Sequence, residues 1–171
     1  MDVEYAKTMA RYNRWMNEKF YALSAQLTDE QRKHDNKAFF KSIHGTLNHL
    51  LLGDRIWLGR FQGRPDSFSG LDEELFDNFD ELRDQRSRLD ELIEAWANEL
   101  NDEVLKNELK FTSVVNPTLR RMPMWLAVTH FFNHQTHHRG QLSTLLTQSD
   151  LDSGVTDLLW MPDSGQIVVT D

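Results

Sequence analysis

The residues best suited to chemistry are histidines, and four of the seven lie in one stretch, residues 129–141, between apolar runs. Successive residues of an α-helix turn by about 100°, so positions four apart share a face. His134 and His138 can therefore direct two imidazoles to one point, as a helix does when it supplies two metal ligands. His130 continues this stripe one turn earlier. A lone histidine more often caps or hydrogen-bonds, but this cluster favours a metal site.

The composition limits both the available ligands and the partners. Cysteine is absent, so disulfides and thiolate ligands are excluded, and imidazole and carboxylate groups remain. Lys and Arg number 19 against 27 Asp and Glu, and the formal net charge is −8. Because nucleic-acid binding depends on a basic surface that releases counterions, the sequence argues against a nucleic-acid partner.

The length of 171 residues fits one domain with a sizeable core, and we expect residues 1–171 to form a single domain. The first residues are acidic and aromatic, without the basic and apolar regions of a secretory signal. No apolar run approaches the roughly 18 residues that span a bilayer. We therefore expect a cytoplasmic protein that has no membrane partner.

Four segments have the apolar spacing of long amphipathic helices: residues 3 to about 27, about 39 to 61, 71 to 100, and 123 to about 148. Residues 107–119 instead alternate apolar and polar side chains until a break at Asn116-Pro117, as a short strand or an extended crossover does. The tail after the last helix has apolar clusters at 158–161 and 167–169, and we expect it to pack back on the bundle without regular structure of much length. Thr28 has the character of an N-cap and predicts a short turn after the first helix. The patterns predict an all-α fold, namely a four-helix bundle with a short extended crossover before the last long helix.

His49 is the candidate ligand on the second predicted helix. It lies in an apolar run, between Leu47 and Leu50, where burial requires a metal or a hydrogen bond as compensation. His44 lies five residues earlier and about 140° around the helix, so the two rings cannot share a direction. We expect His49 to point inward and His44 not to. Asp54 is offset from His49 by the same angle, which makes it a poor candidate for a base at the site.

The core of a helix bundle is a common place for metal sites built from facing helices. We predict that His49 joins His134 and His138 in such a site. Three neutral imidazoles with open remaining positions are typical of catalytic rather than closed structural sites, and a metal there can act as a Lewis acid or lower the pKa of bound water or thiol. Zinc or nickel suits this ligand set, whereas the carboxylate of a two-histidine iron site is not evident.

Two other metal motifs do not fit the sequence. A zinc protease helix needs Glu directly after the first histidine of His-x-x-x-His, and here Phe131 and Gln135 occupy that position. A ferritin-like di-iron site needs Glu-x-x-His motifs on separate helices, and none of the four C-terminal histidines has Glu three residues before it.

Three segments of the sequence resemble a known family: YNRWMN at residues 12–17, IHGTLNHLLLGDRIWLGRF at 43–61 and HFFNHQTHHRGQLSTLL at 130–146. They are similar to the DinB-like family of damage-inducible four-helix proteins and metal-dependent enzymes. The resemblance covers most of the chain, and NHQTHHRGQ is its most specific motif.

The resemblance implies a metal bound by three histidines, which correspond here to His49, His134 and His138. It also implies a homodimer. Characterised relatives include transferases and isomerases that use low-molecular-weight thiols such as mycothiol or bacillithiol, although many members have no assigned reaction. A thiol and a small electrophilic substrate are the partners that this likeness implies.

Three functions remain open from the sequence. The first is an enzyme in which a metal-bound thiol attacks an electrophile, or in which metal hydroxide performs a hydrolysis. The second is a non-catalytic dimeric module that binds a metal or a ligand during stress. The third is a helical dimer without metal. An exchangeable coordination position on the metal would distinguish the enzyme from the non-catalytic module, and the presence of a metal would distinguish both from the metal-free dimer.

Four neighbours of the predicted ligands have undecided roles. His137 either hydrogen-bonds to a ligand or lies on the surface, and His130 lies deeper, as a core residue or as a partner of a ligand. Arg139 and Gln141 serve packing, the dimer or a substrate equally well. The sequence identifies no catalytic base.

Overall fold

Four long helices make up most of the chain that the computed structural model describes, which is residues 2–65, 67–113 and 118–162. Two short helices, a strand pair and one 3-10 turn complete it. In chain order the elements are α1 (Val3–Ser24), α2 (Asp29–Lys33), α3 (Ile43–Phe61), α4 (Phe79–Glu99), α5 (Asp102–Lys106), β1 (Glu108–Thr112), β2 (Leu119–Pro123), α6 (Met124–Gln148) and the 3-10 helix Leu158–Trp160.

Side-chain caps determine where most of these helices begin. Ser42 accepts a hydrogen bond from the Gly45 backbone at the start of α3, and Asn78 accepts from the first turn of α4. Thr28 and Gln31 form a capping box on α2, which confirms the predicted short turn. At α6 the N-cap is Pro123, whose missing N–H costs nothing at a helix start.

Each long helix packs against two of the others. α1 contacts α4 and α6, and α3 contacts the same two helices. The core between them consists of large apolar side chains with almost no exposed surface, among them Phe20, Leu47, Ile93, Phe131 and Phe132. The contact of α3 with α6 places residues of the apolar run around His49 opposite the histidine-rich stretch of α6.

The third predicted helix begins later than its periodicity suggested. Helix α4 starts at Phe79, not at residue 71, and residues 71–78 form turns and bends. The backbone of this segment is bound by α3 instead, since Asn48 accepts from the Phe76 N–H and donates to the Phe76 carbonyl, both at 3.0 Å. We call residues 69–76 the covering segment. Helix α3 likewise begins at Ile43 and not at residue 39, because residues 38–41 form a tight turn with Lys41 at a φ of 65°.

The predicted extended crossover is one half of a hairpin. Strand β1 pairs antiparallel with β2, and Leu109 lies opposite Met122. The second strand was not predicted, because its sequence, LRRMP, shows little alternation. The chain is therefore mostly helical with a small sheet. The break predicted at Asn116-Pro117 lies outside the described residues.

The described part of the C-terminal tail follows α1 with little regular structure, as predicted. Tyr12 donates its hydroxyl hydrogen to the Thr156 carbonyl at 2.6 Å, and Lys19 donates to the Val155 carbonyl at 2.7 Å. The apolar cluster at 167–169 lies outside the described residues. No helix in the described ranges has both the length and the apolar content needed to cross a membrane.

Candidate metal centre

Three histidine rings from two helices converge at one point between α3 and α6. The Nε2 atom of His138 lies 3.2 Å from Nε2 of His49 and 3.1 Å from Nε2 of His134. One ring nitrogen of each residue lies within 4.8 Å of the other two. His49 and His138 are buried, and His134 is half-buried. The structure thus brings the three residues predicted as ligands together.

The outer nitrogens of two rings are held by oxygen atoms. Nδ1 of His49 lies 2.8 Å from the carbonyl oxygen of Leu71, and Nδ1 of His138 lies 2.8 Å from Oε1 of Gln141. An amide oxygen can only accept, so each Nδ1 must carry the hydrogen and donate it. In a neutral imidazole the other nitrogen is then a bare acceptor. Both Nε2 lone pairs therefore point into the space between the rings.

This arrangement fits a metal ion. Two acceptors 3.2 Å apart cannot hydrogen-bond to one another. A hydrogen on Nε2 of His134 could donate to His138 at 3.1 Å but would leave Nε2 of His49 without a donor, so the cluster still needs a cation or an external donor. A tetrahedral zinc ion at about 2.0–2.1 Å from each nitrogen separates its ligand atoms by about 3.3 Å. The observed separations of 3.1 and 3.2 Å are close to that value. Three imidazoles also form a ligand set that zinc, nickel and copper accept.

Burial keeps the rings in the neutral form that metal binding requires. The pKa of His49 falls to about 4, chiefly through burial, against the opposing hydrogen bond to Leu71 and with a smaller lowering by the nearby His138. The pKa of His134 falls to about 3, chiefly through burial and then through His138 and His49. Burial also lowers the pKa of His138. At neutral pH all three nitrogens are therefore available to a metal without loss of a proton.

Two neighbours shape the space around the rings. Phe40 stacks on His49 with 3.7 Å between ring centroids and 17° between the planes, which fixes the rotation of the imidazole. Gly53 lies one turn after His49 on α3, and a Cβ atom there would lie 3.0 Å from Cε1 of His134. The glycine therefore leaves the room that the His134 ring occupies.

A cavity of about 890 Å³ opens beside the three rings. The tight turn at 38–41, the covering segment and α6 form its walls. The lining residues are Phe39, Phe40, Lys41, Gly45, His49, Ser69, Gly70, Leu71, Asp72, Glu73, Glu74, His134, His137, His138 and Gln141. The three histidines thus have protein on one side and a space of ligand size on the other.

His44 contradicts the prediction that only one of the two α3 histidines points inward. It has no exposed surface, and its Nε2 lies 2.9 Å from the Phe76 carbonyl oxygen. The reason is the covering segment, which buries a second face of α3 that would otherwise be in water. His44 contributes to holding this segment, and through it to placing the Leu71 carbonyl against His49.

Asp54 does not belong to the group of ligand atoms that lie within 4.8 Å of one another, and its carboxylate is engaged by other side chains. It is fully buried and pairs with Arg86 at 2.6 Å, and it accepts from Gln135 at 2.7 Å. Arg139 is also buried, and it donates to the side-chain oxygen of Asn13. Of its three predicted roles, packing is therefore the one that these contacts support.

The two remaining histidines of α6 are on the surface. His137 is exposed and its Nε2 lies 3.4 Å from Nε2 of Gln141. His130 is exposed with its ring 4.9 Å from that of Trp57, so the prediction of a deeper position was wrong. The Leu71 carbonyl, Phe40 and Gly53 were not predicted. Only Gly53 has a signal in the sequence, as a glycine inside an apolar helix one turn after His49.

Fold and site together define a helical protein with a candidate three-histidine metal centre. The model of the DinB family matches residues 1–167, and the chain belongs to this family, as its motifs predicted. Protein DinB of Bacillus subtilis (strain 168) is 25% identical over 162 residues, which are 90% of this chain and 91% of that protein. A crystal structure of a DinB-like protein from Bacillus cereus ATCC 10987 superposes with a TM-score of 0.61 at 21% identity, over 82% of this chain and 89% of that one. This last likeness concerns the fold alone.

Proposed function

We propose that His49, His134 and His138 are the ligands of one divalent metal ion, with zinc or nickel the best suited, and that the protein is a metal-dependent enzyme. The observation that carries this proposal is the pair of hydrogen bonds made by the outer nitrogens of two rings. Because Leu71 and Gln141 accept the outer hydrogens of His49 and His138, the inner nitrogens of both rings are acceptors that face one another at 3.2 Å. We also interpret the four long helices as a four-helix bundle.

The cavity supports catalysis over a closed structural site. Three protein ligands lie on one side, and the 890 Å³ space on the other side leaves room for a substrate. A divalent ion held there would supply Lewis acidity and would lower the pKa of a water or thiol bound to it. The chain itself keeps the three rings neutral and oriented, and Phe39 and Phe40 offer an apolar surface at the cavity wall.

The reaction we propose is transfer of a low-molecular-weight thiol to a small electrophile, with hydrolysis as the other reaction that the same site supports. The thiolate is the nucleophile in such a transfer. Among the described residues, Asp54 is paired with Arg86, and Glu73 accepts from the backbone and hydroxyl of Ser69 at 2.6 and 2.7 Å. Asp72, Glu74 and His137 also line the cavity, and no contact singles out one of them as a base. The catalytic residues beyond the ligands thus stay unassigned.

The setting that we propose is a homodimer in the cytoplasm. The homodimer rests on the family resemblance of the motifs. The cytoplasmic location rests on the absence of cysteine, which leaves the sequence without disulfides.

Elemental analysis of untagged protein tests the metal site. We expect about one zinc or nickel ion per chain in the wild type and in the control His34→Ala, whose histidine is exposed elsewhere. His49→Ala and His134→Ala should both lose the metal. The proposal would be contradicted if the metal content of the wild type were at background level and stayed there after dialysis against several divalent ions.

A panel of bacterial thiols, tested for transfer to small electrophiles with the metal-loaded protein, then separates the proposed enzyme from a binding module. Turnover that His134→Ala abolishes supports the enzyme. A tightly held metal without an exchangeable position and without turnover would support the non-catalytic module.

A further inference from the structure

Gln141 contacts two histidines of the same helix with the two ends of its amide. Its Oε1 lies 2.8 Å from Nδ1 of His138, three residues earlier, and its Nε2 lies 3.4 Å from Nε2 of His137, four residues earlier. The side chain is half-buried and forms part of the cavity wall. It is therefore placed to act on a ring that points at the candidate metal centre.

The direction of this amide decides the chemistry of His138. With Oε1 toward Nδ1, the ring must carry its hydrogen on Nδ1 and leave Nε2 bare. With the amide reversed, Nδ1 would accept and Nε2 would carry the hydrogen. That hydrogen would then point at Nε2 of His49 or His134, only 3.2 and 3.1 Å away, and the cluster could close on itself without a metal. The structure has the first direction, in which the NH₂ group of Gln141 can donate to Nε2 of His137 at 3.4 Å.

We propose that Gln141 is a positioning residue that holds His138 in the Nδ1-protonated tautomer and so keeps its Nε2 free for a metal. This inference rests on the proposed metal site. Helix geometry makes the role possible, because a residue three positions after His138 lies on the same face and can reach around to the outer edge of the ring.

The identity of the residue also matters for the charge of the centre. The outer acceptors of His49 and His138 are both neutral, one a backbone carbonyl and one a side-chain amide. Within the described residues no carboxylate accepts from any of the three rings. A carboxylate in this position would raise the basicity of the ring and offset part of the charge of the ion. The glutamine therefore orients the ligand and leaves the centre electrophilic.

Two substitutions test the role. Gln141→Leu keeps the approximate volume and removes the acceptor, and we expect the dissociation constant for zinc to rise about 10- to 100-fold. Gln141→Glu retains an acceptor and should keep zinc affinity equal to or tighter than the wild type. Gln148→Leu, at the exposed end of the same helix, is the matched control and should leave the affinity unchanged.

The tautomer itself can be measured without metal. In long-range proton–nitrogen NMR spectra of uniformly ¹⁵N-labelled, metal-free protein, His138 should show a protonated Nδ1 in the wild type and in Gln141→Glu. The signals are assigned by their loss in His138→Gln. Gln141→Leu should give a mixture of tautomers or the Nε2-protonated form. If Gln141→Leu fails to fold, Gln141→Asn, whose amide is one methylene too short, takes its place.

The outcomes separate this inference from the proposed function. Wild-type protein that binds no zinc, but whose His138 tautomer still depends on Gln141, overturns the metal proposal alone. A folded Gln141→Leu variant with unchanged zinc affinity and unchanged tautomer overturns the role of Gln141 and leaves the metal site standing. Weaker zinc binding with a changed tautomer, both rescued in Gln141→Glu, supports the inference.

Discussion

Two polar clusters lie in the interior of this protein, and they differ in how their hydrogen-bonding groups are matched. In the candidate metal centre, Nε2 of His49 and Nε2 of His138 are acceptors that face one another at 3.2 Å. The second cluster, which we call the charge network, joins the four long helices. Its members are Asn13, Asn17, Asp54, Arg86, Asp90, Gln135 and Arg139.

The charge network pairs its cations with anions and amides, although Nε of Arg86, Nε of Arg139 and Oε1 of Gln135 have no hydrogen-bond partner among the described residues. Arg86 contacts Asp54 at 2.6 Å and Asp90 at 2.9 Å, and Asn17 donates to Asp90 at 2.9 Å. Burial acts to lower the pKa of Arg86, but Asp90 and Asp54 outweigh it and raise the pKa above its ordinary value. Burial lowers the pKa of Arg139 to about 10, so this side chain is still charged at neutral pH. Burial raises the pKa of Asp90 to about 6, against the opposing effect of Arg86. Two cationic side chains thus share the network with the carboxyl groups of Asp54 and Asp90.

The difference indicates which cluster needs an external partner. A buried polar group is stable when it is paired, and the charge network finds most of its partners within the chain. The candidate metal centre lacks such a partner for Nε2 of His49, because the atom that faces it, Nε2 of His138, is also an acceptor. Burial alone therefore does not mark a functional site; a surplus of acceptors that face a cavity does.

The largest effect should come from removing the cation of the charge network. Arg86→Met leaves Asp54 and Asp90 buried without their counter-charge, and we expect a loss of about 3–5 kcal/mol in the free energy of unfolding. Urea unfolding monitored by circular dichroism measures it. Arg88→Met, an exposed arginine of the same helix, should change stability by less than about 0.5 kcal/mol. If Arg86→Met and Arg88→Met have the same free energy of unfolding, Arg86 does not stabilise the buried carboxylates of the charge network.

The metal centre should show the opposite behaviour, with stability that depends on an added ligand. Zinc at about 100 times its dissociation constant should stabilise the wild type by about 2.7 kcal/mol, and so raise its melting temperature by roughly 5–10 °C. His134→Ala should lose this shift, whereas His34→Ala should retain it. Thermal unfolding with zinc and with a chelator measures the shift. An equal shift in His134→Ala would show that zinc acts elsewhere.

The same contrast explains what could be predicted from the sequence. The pairing of His134 with His138 follows from helical spacing, and the inward position of His49 follows from its apolar neighbours. His44 was misjudged because the covering segment that buries it is irregular and has no periodic signal. Asp54, Arg86 and Asp90 lie on two helices joined by a long connection, so no local pattern reveals that they meet. The Leu71 contact is made by a backbone carbonyl, which every residue carries and no sequence pattern distinguishes.

The metal-free centre should also make stability depend on pH. His49 and His134 have folded-state pKa values of about 4 and 3, below the 6.5 of a free histidine. Between the folded and the unfolded pKa of each histidine, the unfolded chain binds more protons than the folded chain. The contribution of the neutral histidines to the free energy of unfolding is therefore complete above about pH 6.5, and it is lost as the pH falls towards 4 for His49 and 3 for His134. Each histidine should contribute a slope of up to about 1.4 kcal/mol per pH unit.

Urea unfolding in a chelator between pH 5 and pH 7 tests this dependence, with His134→Asn as the comparison. The slope of the variant should be smaller by the contribution of one histidine. Taking the difference between the two proteins cancels the titration of all other groups that they share. Identical slopes would mean that the burial of His134 does not depress its pKa.

The smallest effect should come from the space that Gly53 leaves for His134. Alanine at this position places a Cβ atom 3.0 Å from the ring, which must shift by a few tenths of an ångström, and we expect zinc affinity to fall by roughly threefold to tenfold. Gly140→Ala is the matched control, because no heavy atom lies within 4 Å of its added Cβ. Both substitutions should improve helix propensity, by about 0.5–1 kcal/mol. Competition titrations with a zinc indicator should therefore show a lower zinc affinity for Gly53→Ala than for Gly140→Ala, although the two variants unfold alike. Equal zinc affinities would show that the centre adapts to a displaced His134 ring.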